Sequence, residues 1–191
     1  LYFLYKLKNM NFKILCTYNF INAILFSMID VDFVSGGWFN TLRKFSKDRF
    51  ESVDTFGIRK KRYTSIPLLS YFTGELADLI SQKIDISFMV SGTPYDTNFI
   101  NDYDSLSFVD YEQEFWISIH NAIQEINSRQ SIEAKIEYVA ELINQAISYY
   151  DYMINEFVEE KEISNKLRNS SAHLNKWLLA IDLFKKKALI I

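Results

Sequence analysis

A chain of 191 residues with 49% apolar content has enough material for one domain, or a domain with a sizeable appendage, and reads as globular. Its formal net charge of −3 excludes a general pull toward nucleic acid or anionic membrane, so any polyanion site has to be a local patch. The single cysteine, Cys16, excludes an internal disulfide and a cysteine-built zinc site, and favours an intracellular, cytoplasmic setting.

The chain opens at Leu1, and Lys6, Lys8 and Lys13 precede the run "ILCTYNFINAILFSMI". That order of charge and apolarity matches a signal peptide, but Asn19 and Asn22 interrupt the run. It is also shorter than the roughly 20 apolar residues of a spanning helix, so a buried core segment is expected and no membrane partner. Residues 10–34 show no clean period, and "SGGW" at 35–38 ends them with a turn. Asn40 caps a short expected helix through "TLRKFSKDRF".

Next comes "RKKRY". Arg59, Lys60, Lys61 and Arg62 are candidate RNA-phosphate contacts, with the Tyr63 ring able to stack on a base; a solvated strand or loop is the other reading. Pro67 suits the first turn of a helix, and Leu69, Phe72, Leu76, Leu79 and Ile80 carry a helical period to about Gln82. Ile84, Ile86, Phe88 and Val90 then alternate strictly, which predicts a half-buried strand. Residues 91–110 are rich in Asp, Asn, Ser and Tyr and predict a linker or surface loop. The main boundary is placed there, giving an α-rich region 1–95 of unassigned role and a helical unit 96–191.

Beyond it, "EQEFWISIHNAIQEIN" puts Phe115, Trp116, Ile119, Ile123 and Ile126 along one helix face, and "SRQS" closes the helix. His120 lies beside that stripe and reads as a partly exposed structural histidine. Ser131 caps a longer helix whose apolar positions, Ile132, Ile136, Val139, Ile143, Ala146, Tyr150, Ile154 and Phe157, alternate spacings of four and three. Such a seam has to pack on neighbouring helices or on another subunit. Its end, "EEKE", carries the less favourable sign for a helix C-terminus. A third helix follows Ser164, with Leu167, Leu174, Trp177, Leu178 and Ile181 on its apolar side. The fold class expected is mainly α: a C-terminal bundle with long antiparallel helices, and an N-terminal part that is helical with one or two short strands.

Within that third helix, Asn169-Ser170-Ser171 is a run of poor helix formers. On a straight helix Asn169 and His173 share a face, and Arg168 is long enough to bend back to it. Together they offer a guanidinium fork for a phosphate, an amide to orient it, and an imidazole that exchanges protons near neutral pH. Those are parts for metal-free RNA cleavage, in which the 2′-hydroxyl attacks the adjacent phosphorus. One imidazole does not readily serve both ends of an in-line displacement, whereas two copies facing each other across a dimer can. Other chemistries fail on parts: there is no phosphate-binding G-x-x-x-x-G-K-[ST] loop, no G-x-S-x-G elbow and no H-E-x-x-H pair, so no metal and no cofactor are expected.

The stretch Leu167-Arg168-Asn169-Ser170-Ser171-Ala172-His173, after a long helix, resembles the R-x4-6-H signature of HEPN domains. The resemblance covers about residues 110–191. It implies a compact helical bundle, usually dimeric, and in many members a metal-independent ribonuclease of toxin–antitoxin, abortive-infection or CRISPR-associated defence. By position, Arg168 would be the motif arginine, Asn169 the polar residue that often follows it, and His173 the motif histidine. The expected function is therefore a dimeric, metal-independent endoribonuclease of a prokaryotic defence system, with RNA, a second copy and an antitoxin or defence protein as partners. A non-catalytic RNA- or protein-binding module and a helical assembly protein are the alternatives. Asn175 stands where toxins paired with small nucleotidyltransferases usually carry a tyrosine, so adenylylation there is not implied. The acidic "EEKE" would repel RNA near a cleft, with "RKKR" or Lys185–Lys187 available to compensate.

Overall fold

The computed structural model describes residues 1–36 and 60–189. Arg59, the helix expected after Asn40 and the Trp38 end of the first turn lie outside them. The described chain is mainly helical, with two small two-stranded sheets.

The N-terminal part begins with α1 (Tyr2–Asn9) and then β1 (Leu15–Cys16). A 3-10 turn at Phe20–Asn22 leads into α2 (Ala23–Ser27), and β2 (Phe33–Val34) runs parallel to β1 with Leu15 opposite Phe33. The aperiodic run 10–34 is core in its second half: Ile21, Ala23, Ile24, Leu25, Met28 and Ile29 are buried. Being buried all round, α2 shows no amphipathic period.

The helix expected from Pro67 begins later. Residues 63–72 form an antiparallel hairpin, β3 (Tyr63–Ser65) against β4 (Ser70–Phe72), with Thr64 opposite Tyr71. Pro67 occupies the second position of the Ile66–Leu69 turn, which the Leu69 N–H closes on the Ile66 carbonyl at 3.1 Å. The fixed φ of proline serves this turn as well as it serves a helix start, and Leu69 leaves it at φ 49°. Thr73 then caps α3 (Gly74–Ser81), its side chain accepting from the Leu76 N–H.

The strand expected at 84–90 is absent. Ile84 and Ile86 are buried as the alternation requires, but Asp85 accepts from the backbone N–H and the hydroxyl of Ser87 and curls the chain into a 3-10 turn, Ser87–Met89. The expected linker 91–110 holds α4 (Asp96–Asn101) and a 3-10 turn, Tyr103–Ser105, with Phe99 and Leu106 buried. Asp96 organises it by accepting from the backbone N–H groups of Gly92 and Thr93, the Thr93 hydroxyl and the Tyr63 hydroxyl. One apolar cluster contains residues from both sides of position 95, including Ile24, Phe72, Ile119 and Val139.

The C-terminal helices are long and bundle-like. Ser107 and Asp110 form a capping box that starts α5 (Phe108–Asn127), and Ser131 caps α6 (Ile132–Glu156) through the Ala134 N–H. Every α6 seam position from Ile136 to Ile154 is buried, as is Phe157 just beyond the helix. The seam is covered within the chain, by α5, α7 (Lys161–Ser171) and α8 (Leu174–Ala188), and is not left over for a second copy. Lys83 offsets the acidic end of α6 by bonding to the Glu156 carbonyl and the Glu160 carboxylate. The expected third helix is two helices, because the chain breaks after Ser171; Ser164 lies inside α7, buried.

Candidate functional site

The break between α7 and α8 opens onto a cavity of about 420 Å³. One wall is the helix junction, with Asn169, Ser170, His173 and Trp177; the others are the hairpin residues Leu69, Ser70 and Tyr71 and the turn Phe20–Asn22. Phe20 meets Tyr71 edge-on with 5.4 Å between centroids, and His173 meets Trp177 the same way at 4.7 Å. Aromatic faces and edges therefore alternate with the amides of Asn22 and Asn169 and the hydroxyls of Ser70 and Ser170. Behind the wall the Tyr150 hydroxyl is buried beside Ser70 and Ser170 without a completed hydrogen bond, and burial raises its pKa.

His173 is half-buried, and its Nε2 lies 2.9 Å from the Leu69 carbonyl oxygen. A carbonyl only accepts, so Nε2 carries the proton and the neutral ring keeps Nδ1 as its acceptor. Burial lowers the pKa of the ring, against the carbonyls of Leu69 and Ser170, which favour the charged form. At neutral pH the imidazole is held mainly neutral with one nitrogen spent on the hairpin.

The other motif residues divide. Asn169 lines the cavity, whereas Arg168 is exposed on α7 and is not among the lining residues. Two nearby carboxylates in the sequence have other partners: Glu162 bonds Lys166 at 2.6 Å and Asp182 bonds Lys186 at 2.7 Å. Arg168 has no ion pair among the described residues. His120 is exposed on α5, outside the cavity.

Of the described residues of the basic run, none lines the cavity, and Arg62 touches it through one lining residue, Tyr71. The Arg62 guanidinium lies over the Tyr71 ring, 4.8 Å from its centroid, and its Nε is buried without a hydrogen bond. Lys60 pairs with Glu75 at 3.4 Å, and Lys61 bonds the Asp104 carbonyl at 2.9 Å. Exposed pairs of this kind contribute about 0–1 kcal/mol and yield readily to a phosphate. Tyr63 is turned away: it is fully buried, stacked on Phe99 at 3.8 Å with its hydroxyl on Asp96, so its ring is not offered to a base.

Sequence reasoning missed most of the cavity wall. Trp177, four residues after His173 and so on the same helix face, was the one signal available. Phe20, Asn22, Leu69 and Tyr71 carry none, because only the tertiary fold brings them near α8. Also missed was Glu114 on α5, fully buried, accepting from the Thr64 N–H at 2.9 Å and the Ser118 hydroxyl at 2.6 Å. Burial pushes its pKa up to about 8 against those two bonds, so it is mainly a neutral acid at pH 7. Among the described residues no cluster of His, Cys, Asp and Glu suits a metal ion, and no helix is long and apolar enough to cross a membrane.

Compared with known proteins, the chain matches no family model, no curated protein and no solved structure.

Proposed function

We propose that this chain is an RNA-binding module of HEPN-like kind, which takes one unstacked base of a single strand into the α7–α8 cavity. The observation that carries the reading is convergence. Asn169 and His173 stand in one wall of a cavity whose opposite wall, Tyr71, carries Arg62 on its face. Aromatic rings bind the π-face of any base, the amides of Asn22 and Asn169 can hydrogen-bond its edge, and cations beside the opening meet the phosphates.

Metal-free cleavage is the second reading, and Arg168 favours it. An exposed guanidinium with no ion pair among the described residues can fork onto a phosphate. Binding is preferred because His173 commits Nε2 to Leu69 and so has only Nδ1 for proton transfer. A role in a prokaryotic defence or toxin–antitoxin system, with an antitoxin or a second copy as partner, belongs to the same proposal and rests on the motif alone.

Both readings are tested by titrating the protein into fluorescently labelled, mixed-sequence single-stranded RNA in EDTA, following anisotropy and then integrity on a gel. Binding that weakens in Asn169→Ala and Arg62→Ala without strand scission supports the module. Scission lost in Arg168→Ala and His173→Ala would replace it with the nuclease. Absence of binding in the wild type would remove both.

A further inference from the structure

α1 and the last turns of α8 build one face whose residues do not line the cavity. α1 lies against the last turns of α8, with the Tyr5 ring edge-on to Phe184 at 5.4 Å between centroids. Two ammonium groups converge on a single ring there: Lys6 Nζ lies 5.4 Å and Lys187 Nζ 5.9 Å from the centroid of Tyr2. Neither has an ion pair among the described residues. Each of these ammonium groups can therefore take an external anion.

Among the described residues no carboxylate pairs with either lysine. The sequence has no Asp or Glu before Asp30 and none after Asp182. Asp32 is occupied by Lys8 at 2.7 Å and Lys13 at 3.1 Å, and Asp182 by Lys186 at 2.7 Å. A chain with a net charge of −3 thus keeps a surplus of lysine on this face. On the same two helices or just beyond their ends, apolar side chains stand in water: Phe3 is 70% exposed, Met10 65% and Leu189 85%. Phe3 and Lys6, three residues apart, share one side of α1, and Met10 caps its C-terminal end.

We infer that this face docks on the surface of a membrane rich in anionic phospholipid. Lys6 and Lys187 meet headgroup phosphates, and Phe3, Met10 and Leu189 enter the boundary between headgroups and acyl chains. Such contact needs no spanning helix, so it is separate from the length argument that excluded one. A nucleic-acid backbone would also satisfy the lysines, but it leaves Met10 and Leu189 exposed, since bases stack on rings and not on aliphatic chains.

The test is flotation of the full chain with vesicles of phosphatidylcholine alone and of phosphatidylcholine with about one-third phosphatidylglycerol, at low and high salt, since screening weakens surface attraction. The expected result is binding to the anionic vesicles only, reduced about tenfold or more in Lys6→Gln/Lys187→Gln and also in Phe3→Ser/Met10→Ser. Circular dichroism matching the wild type qualifies each variant. No binding to either vesicle, equal binding to both, or full binding by the folded lysine variant overturns the inference. So does labelled single-stranded RNA that loses affinity in the lysine variant while vesicles capture nothing, which would assign the face to RNA.

Discussion

His173 and Leu69, 104 residues apart in the chain, are joined by a 2.9 Å hydrogen bond between an imidazole nitrogen and a backbone carbonyl. The bond holds the α7–α8 junction against the hairpin turn and so fixes the width of the cavity. Replacing His173 with Ala leaves a carbonyl without its partner and removes one wall, a loss expected at about 1–3 kcal/mol. His173→Gln, whose amide can donate to the same oxygen, should recover part of it. Urea denaturation of the three proteins measures both.

The same ring sets a pH dependence. Its folded pKa lies below the ordinary value of 6.5, so the unfolded chain binds the proton more readily. The contribution of His173 to stability is therefore complete above pH 6.5 and is lost as pH falls through the lowered folded pKa. Denaturation midpoints of wild type and His173→Gln should converge as pH drops from 7 to 5; parallel curves would refute this.

Glu114 has the opposite sign. Its pKa is raised to about 8 by burial, so its contribution is complete below the usual carboxylate range and is lost as pH rises toward and through 8. Glu114→Gln should flatten the stability profile between pH 5 and 9. Glu114→Ala should cost about 1–3 kcal/mol at pH 6, because the Thr64 N–H loses its acceptor.

Gly74 tests the packing beside α3. A methyl group on its α-carbon would overlap the Tyr103 ring, so Gly74→Ala, favourable in an open helix, should here destabilise by about 1–3 kcal/mol. Gly74→Ala combined with Tyr103→Ala should recover part of the loss, read by thermal denaturation.

Arg168 separates binding from folding. Exposed and without an ion pair among the described residues, it can change to Ala with a stability effect within about 0.5 kcal/mol. RNA affinity should nonetheless fall, and the salt dependence of binding should shrink with it. Anisotropy titrations at two salt concentrations measure both quantities.

The parts of the fold legible in sequence are those whose burial repeats locally. The α6 seam announced itself because each buried side chain lies three or four residues from the next, and Ser131 marked where it starts. The hairpin was illegible because Pro67 and Leu69 satisfy a helical spacing while the backbone turns at Ile66–Leu69. The alternation of Ile84 and Ile86 reported burial correctly but not conformation, since Asp85 captured the backbone N–H of Ser87 that a strand would have needed. At the site, spacing isolated Asn169 and His173 but had no means of supplying Phe20 or Tyr71. Adjacency across the fold leaves no trace in the order of one chain.

The tie between His173 and Leu69 also bears on how the molecule assembles. Contacts among α5, α6, α7 and α8 close short loops, whereas the cavity forms only when the hairpin and the helix junction meet across most of the chain, and that closure costs chain entropy before any contact rewards it. The helical bundle is thus the natural nucleus and the cavity a late acquisition. In stopped-flow experiments His173→Ala should speed unfolding and leave the refolding rate nearly unchanged.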